Sequence, residues 1–459
     1  MAEEDDQTNS RVMEEVSAYI SKSGEACLPP EVVSKAKHHI LDTLAAMVSG
    51  STLKPGQLAK RHAKNHAGVR EALVVASQIT TSAIDAAFAN GMMAHADETD
   101  DFNPRAKMHA GVAIVPAALA MAEREGADGM GFLKAVVAGC DIGGRVNRVL
   151  GSKEELRGVA RCSNGMGGNF GAATAAASVL RLADEEVRYV LSFAAEQASG
   201  VTFWMSDQEH ALKACVYGGM PARNGVTSAI LVQSGFTGVL DPFCGQNNFF
   251  KAYSATPNPR RELLIEGLGR EYEIMYGCIK QFSVGSPIQG PLNALLLLME
   301  KHGLRAKDVD RLVATTYGEG AKVVDNREMP DINLQHILAL TLVDGGLTFE
   351  SSHSFERMSD PSVLSVKKRI TLVGDPGFGT TKRQGIVEIT TKDGARLREH
   401  VVSPRGMMEN PMTTEEVEKK CRELLEPVLG QEQTHELIDR VWNLEKVGNM
   451  RTLRSLLSA

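Results

Sequence analysis

Up to about residue 265 apolar positions recur at helical spacing, and the pattern predicts a series of helices. Pro29-Pro30 opens a segment with Val33, Ile40, Leu44 and Met47 near that spacing and Gly50 just past its end, the common Pro-start, Gly-stop asymmetry. Ser82 can cap the next helix, Asp128 the one running through Phe132 to Val149, and Asp184 the one over 185–197. Gly126 stops a helix of small residues at 112–125. Alanine and glycine are abundant in these segments, which permits close helix approach and predicts a large all-α bundle.

Around residues 270–400 the texture changes. Strands are predicted at 311–317, 370–373 and 385–391, and the Lys392-Asp393-Gly394 turn leads into 395–402 as a hairpin. Helices at about 286–302 and 334–344 lie between them. Thr413 and Glu416 fit a capping box, after which helix resumes. The expected fold is mainly α: a large all-helical domain formed from both chain ends, 1–268 and 404–459, plus a smaller inserted α+β lid domain at 269–403.

With 459 residues the chain is too long for one ordinary core, and 43% hydrophobic with 23% charged residues is the composition of a soluble globular protein. A formal net charge of -7 excludes a general nucleic-acid or anionic-membrane partner, since both need a basic face. An anionic ligand would then need a local cation. No apolar run approaches the roughly 20 residues of a membrane span, and Met1-Ala2-Glu3-Glu4-Asp5-Asp6 is too acidic for a targeting peptide, so a cytoplasmic enzyme is expected. The seven cysteines are scattered, with no Cys-x-x-Cys pair and no Cys/His ligand spacing. Neither a disulfide framework nor a metal is expected.

The chemistry concentrates in Ala94-His95-Ala96-Asp97-Glu98-Thr99-Asp100-Asp101 and Lys107-Met108-His109-Ala110-Gly111, acids and histidines set directly against an apolar helix. Charges drawn toward a core need partners or a substrate. The segment Gly165-Met166-Gly167-Gly168-Asn169-Phe170-Gly171 lacks the spacing of a phosphate loop and reads as close packing, so no nucleotide cofactor is indicated. Lys213, ahead of the glycine-rich 218–225 segment, can offer a cation to a carboxylate. His38, His39 and His302 read as surface or capping residues.

Taken together, Asp97 through Gly111, the Gly171–Ala177 run, the Lys213 to Gly225 segment and the late Gly406–Pro411 stretch resemble the MmgE/PrpD family over nearly the whole chain. The resemblance implies a cofactor-free enzyme acting on small polycarboxylates, with a helical domain, an α+β lid and a homodimer. It places the family's acidic motif on Asp97, Asp100 and Asp101, its following histidine on His109 and its active-site lysine on Lys213, with the spacing to Arg223-Asn224-Gly225 one residue longer than in the decarboxylases. Where many members have His-Pro-Thr, this chain has Arg161-Cys162-Ser163; where they have a histidine in the lid's first helix, it has Gln289. His336 falls near a late tyrosine of some members.

Dehydration and decarboxylation of a polycarboxylate both develop negative charge beside a carboxylate already negative. The site must combine a proton-transfer group with fixed cations or donors. His109 is the expected proton-transfer group, tuned by nearby Asp97 or Asp101, with His336 a second acid/base. Lys213, Lys280 and Arg223 would hold substrate carboxylates, and Asp100, Asp101, Gln289 and Cys162 complete the substrate-binding set. The expected function is a lyase, dehydratase or decarboxylase, on a di- or tricarboxylate. An isomerase or epimerase using the same proton abstraction, and a non-catalytic binding relative, are the alternatives.

Overall fold

Small side chains decide how the helices of the larger unit cross. In the computed structural model, which describes residues 2–379 and 381–459 with side chains from Arg11 onward, the Gly129–Leu150 and Ser163–Leu180 helices meet backbone to backbone. A Cβ on Gly139 would lie 2.7 Å from the Gly171 carbonyl oxygen, and one on Gly143 2.5 Å from that of Gly167. The glycine-rich 165–171 segment is therefore a helix surface stripped for packing. Gly91, in the Ala83–Ala94 helix, does the same against residues 215–219, since a Cβ on Gly218 would collide with the Gly91 carbonyl. That segment, Cys215–Gly219, is π-helical before Met220–Gln233 continues as α-helix. A π-turn takes up one more residue than an α-turn, so the side chains on either side of Cys215–Gly219 are offset from simple α-helical spacing. Gly218→Ala is expected to destabilise the protein by about 1–3 kcal/mol through overpacking. An unchanged melting temperature would contradict it.

Several expected caps are in place. Ser82 accepts the Asp85 N–H at 3.1 Å, Asp128 accepts that of Gly131 at 2.6 Å, Gly126 adopts φ 70°, and Thr413 and Glu416 form their reciprocal pair. Two positions differ. The helix Asp184–Gln197 starts from Ala183, whose N–H donates to Glu186 at 2.8 Å, so Asp184 is its first residue and not its cap. Gly50 is the last residue of the Pro30–Gly50 helix, and it is small because a Cβ there would collide with the Met93 carbonyl.

The chain is mainly α with a small α+β portion, and it divides into two compact units. One comprises residues up to Ala96, Asp100–Gly277 and Leu424–Ala459; the other comprises Asp97–Thr99 and Cys278–Glu423. Both junctions fall later than the 268/269 and 403/404 boundaries read from the pattern. Residues near 273 stay with the helical unit because the Glu273 N–H donates to Asp141 at 2.5 Å and Asn103 donates to the Glu273 carbonyl at 2.9 Å. Residues 405–416 stay with the smaller unit because the Ile279 N–H donates to Gly406 at 3.1 Å, while Arg405 grips Glu416. The C-terminal segment returns to the helical unit, where Lys37 donates to the Trp442 carbonyl at 2.5 Å and Ala76 to that of Leu457 at 2.7 Å.

In the smaller unit four strands run in the order Ile370–Asp375, Val309–Tyr317, Gly385–Thr391, Arg396–Val401, the first pair parallel and the others antiparallel. Gly394 at φ 90° closes the expected hairpin turn. Leu292, Leu295, Leu312, Leu338, Val387 and Ile389 build this unit's core from sheet and helices. Among the described residues no helix is long and apolar enough to cross a membrane.

Candidate active site

Where the Ala83–Ala94 helix ends, His95 caps it and the acidic run begins. Its three aspartates lie against four histidines. In the helical unit Asp100 is fully buried and serves two rings: its Oδ2 lies 2.6 Å from His109 Nδ1, and its Oδ1 lies 3.1 Å from His95 Nδ1. Asp101 takes His39, whose Nδ1 is 2.5 Å away, and accepts the Gly111 N–H at 2.9 Å. His39 is therefore a buried anchor and not the surface residue expected, because the Pro30–Gly50 helix turns it inward. Gly111 must be glycine, since a Cβ would collide with Thr43 Oγ1. The partner of His109 is thus Asp100, where the sequence pointed to Asp97 or Asp101.

The loop carrying His109 is fastened on both sides. Asn164, at the start of the Ser163–Leu180 helix, accepts the His109 N–H at 2.8 Å, and Ser163 donates to the Lys107 carbonyl at 2.6 Å. Lys107, at a left-handed φ of 55°, donates to the Asn147 carbonyl at 3.0 Å and to that of Gly151. Burial lowers its pKa to about 8. These bonds fix the imidazole's position at the foot of the Gly111–Glu125 helix.

Tyr217 gathers the remaining side chains of this unit. Its ring stacks on His95 with centroids 4.5 Å apart and planes 10° from parallel, and it lies 5.4 Å from the His109 ring. His210, left-handed at φ 59°, brings its ring to 5.1 Å from His95. Lys213 Nζ sits 5.3 Å from both the Tyr217 and Trp204 centroids. So His109 and Lys213 meet at one aromatic ring, although neither spacing nor periodicity links them. Cys162 is buried at the N-cap of the Ser163–Leu180 helix, its N–H donating to Gly200 at 3.0 Å; burial raises its thiol pKa, so it stays a neutral thiol at pH 7. Arg223 is exposed, with its guanidinium on Asn224 at 2.9 Å.

In the smaller unit Asp97 takes His353. His353 Nε2 lies 2.8 Å from Asp97 Oδ2 and 3.9 Å from Asp331, while Nδ1 lies 2.8 Å from the Phe349 carbonyl. The two carboxylates near Nε2 and the Phe349 carbonyl at Nδ1, with Ser352 Oγ 3.1 Å from that same nitrogen, favour the charged imidazolium. Burial alone would lower its pKa, but the Asp97 bond and charge, with Asp331 and the Phe349 carbonyl, carry it up to about 9. Lys280, fully buried, donates to the Glu98 carbonyl at 2.8 Å and lies 3.5 Å from the Glu98 carboxylate; Lys420 donates to the Thr99 carbonyl at 2.9 Å. Gln289 spends both amide donors on the Phe282 and Val284 carbonyls, bracing the turn after Lys280. His336 is buried, and burial with the Lys367 and Arg357 charges lowers its pKa to about 4, which keeps it neutral at pH 7.

His95, Asp100 and His109 each offer a ligand atom, and these atoms all lie within 4.8 Å of one another. These three come together because the Asp100–His109 loop folds back beside the helix end, an approach that spacing along the chain does not show. The sequence assigns no role to His95, His210, Tyr217, His353, Glu98 or Lys420, and it reads His39 as a surface or capping residue. His95 and Glu98 lay inside the acidic stretch it singled out; for the others no local signal exists, since each arrives from a distant element.

The N-terminal domain of the MmgE/PrpD family matches residues 14–262, and its C-terminal domain matches 282–444. The cis-aconitate decarboxylase of Aspergillus terreus is 24% identical, covering 99% of this chain and 97% of its own length. The cis-aconitate decarboxylase of Homo sapiens is 25% identical over 94% of this chain and 91% of its own. The 2-methylcitrate dehydratase-like protein oryR of Aspergillus oryzae is 26% identical over 33% of this chain and 34% of its own.

Proposed function

Because the chain belongs to the MmgE/PrpD family, we propose that it is a cofactor-free lyase on a small polycarboxylate, and specifically a carboxy-lyase on an unsaturated tricarboxylate such as cis-aconitate. The observation that carries this reading is the Asp100–His109 pair, a buried carboxylate 2.6 Å from the Nδ1 of a partly exposed imidazole. The names of the full-length relatives support the substrate class.

The carboxylate holds the Nδ1 proton and leaves Nε2 as the atom that exchanges a proton with substrate, the division of labour of a histidine–carboxylate dyad. Loss of CO2 breaks a carbon–carbon bond, and the electron pair spreads into the neighbouring double bond and carboxylate. His109 Nε2 delivers a proton to carbon, and solvent returns one to the ring. Asp100 stabilises the imidazolium before transfer. Lys213, flanked by Trp204 and Tyr217, supplies the cation that holds a substrate carboxylate. Incubation with cis-aconitate and other di- and tricarboxylates, followed by NMR, tests the reading; proton exchange without CO2 release would point to an isomerase instead.

Lys213→Ala is expected to weaken substrate binding as well as rate, by roughly 1.5–3 kcal/mol for a charge-assisted hydrogen bond. An unchanged KM would remove Lys213 from the site. A cytoplasmic setting and a homodimer belong to the same proposal, the dimer supported by the Ala/Gly-rich helices and by the family. Light scattering at micromolar concentration is expected to give twice the chain mass, and a monomer mass would contradict it.

A further inference from the structure

His95 presents a problem that the proton-transfer reading does not absorb. It is fully buried, and neither of its ring nitrogens makes a hydrogen bond, although Nδ1 stands 3.1 Å from an Asp100 oxygen. A desolvated imidazole nitrogen without a hydrogen bond is destabilising, and such groups call for a reason. The Tyr217 ring stacked on it fixes its plane, so the nitrogen is held at the carboxylate without bonding to it. That is the relation between neighbouring ligands of one cation. Around a tetrahedral zinc ion with bonds near 2.0–2.1 Å, adjacent donors stand about 3.3 Å apart.

We propose that His95, Asp100 and His109 form a binding site for a divalent transition-metal ion of the zinc class, whose occupancy takes His109 out of proton transfer. Two imidazoles and one carboxylate are a donor set that zinc accepts, leaving the remaining position to water or a substrate carboxylate. The His95–Asp100 spacing already suits it. His109 Nδ1 stands 2.6 Å from the other oxygen of Asp100, and one ligand atom from each of the three residues lies within 4.8 Å of the others, so admitting the ion takes a readjustment of these side chains, and the Nδ1 proton leaves to solvent as the metal takes its place. Tyr217 holds the His95 ring and the Asn164 bond holds the His109 backbone, so the ligands are supported from outside as metal sites require. Zinc is thus a reversible inhibitor of the enzyme and not its cofactor. The inhibitory half of this inference rests on His109 being the proton-transfer group; the binding half stands on geometry alone.

The test uses chelator-stripped full-length protein titrated with Co2+, whose visible absorption reports low-coordinate nitrogen and oxygen ligation, and then with competing Zn2+. One equivalent is expected to saturate the wild type, and His95→Gln and His109→Gln should each weaken binding at least about tenfold, with circular dichroism verifying their fold. Zn2+ should lower turnover of a polycarboxylate and a chelator restore it. Absence of one-equivalent binding, wild-type affinity in both variants, or a rise in turnover with Zn2+ would overturn the inference. Binding that is lost in both variants, in a protein that turns over no polycarboxylate, would uphold the metal site while sinking the proposed lyase function.

Discussion

Replacing His109 by glutamine is expected to remove turnover while leaving ligand affinity within a few-fold of wild type. Glutamine keeps a polar group beside Asp100 but cannot exchange a proton, so the loss falls on the transition state and not on the ground state. A positioned general acid contributes about 10²- to 10⁴-fold, and kcat should drop by that factor. Asp100→Asn should mimic much of this loss, because the amide no longer holds the Nδ1 proton and the ring can adopt the other tautomer. Steady-state kinetics with a direct binding measurement separates the two effects. Wild-type kcat in His109→Gln would remove His109 from the mechanism, whatever happened to affinity.

The second large effect concerns stability. Asp97→Ala strips His353 of the carboxylate 2.8 Å from its Nε2, leaving the buried imidazole with the Asp331 oxygen at 3.9 Å. Breaking a buried pair from one side costs about 3–5 kcal/mol. The pH dependence follows from the same contact. The folded-state pKa of His353 is raised to about 9 from an ordinary 6.5, so the stability it contributes is fully present below about pH 6.5 and is lost as pH rises through about 9. The shift corresponds to roughly 3 kcal/mol. Urea unfolding of the wild type at pH 6 and pH 9.5 should show this decline, and Asp97→Ala should flatten it. Equal slopes in both proteins would show that the pair is not the origin.

Much of the fold was legible because it is decided locally. Ser82, Asp128, Gly126 and the Thr413/Glu416 box announce helix ends within a few residues, and the 311–317 and 385–391 strands carry their own period. Gly50 and Asp184 were misread for a related reason: a terminal glycine can serve a neighbouring helix, and an acidic first turn can imitate a cap. The acidic stretch was legible as a place where charge had to be compensated. Which histidine compensates which aspartate was not, because His39, His109 and His353 reach Asp101, Asp100 and Asp97 through three separate elements. Tyr217 shows the same limit, since its role depends on the Gly91–Gly218 approach and a π-turn that no apolar pattern reveals.

The most direct test of the account is to incubate the enzyme with cis-aconitate in heavy water and follow the products by NMR, with His109→Gln alongside. The wild type should release CO2 and form a product carrying one deuterium on carbon, and the variant should do neither. Wild-type enzyme that leaves cis-aconitate unchanged, or a variant that incorporates deuterium at the wild-type rate, would contradict it.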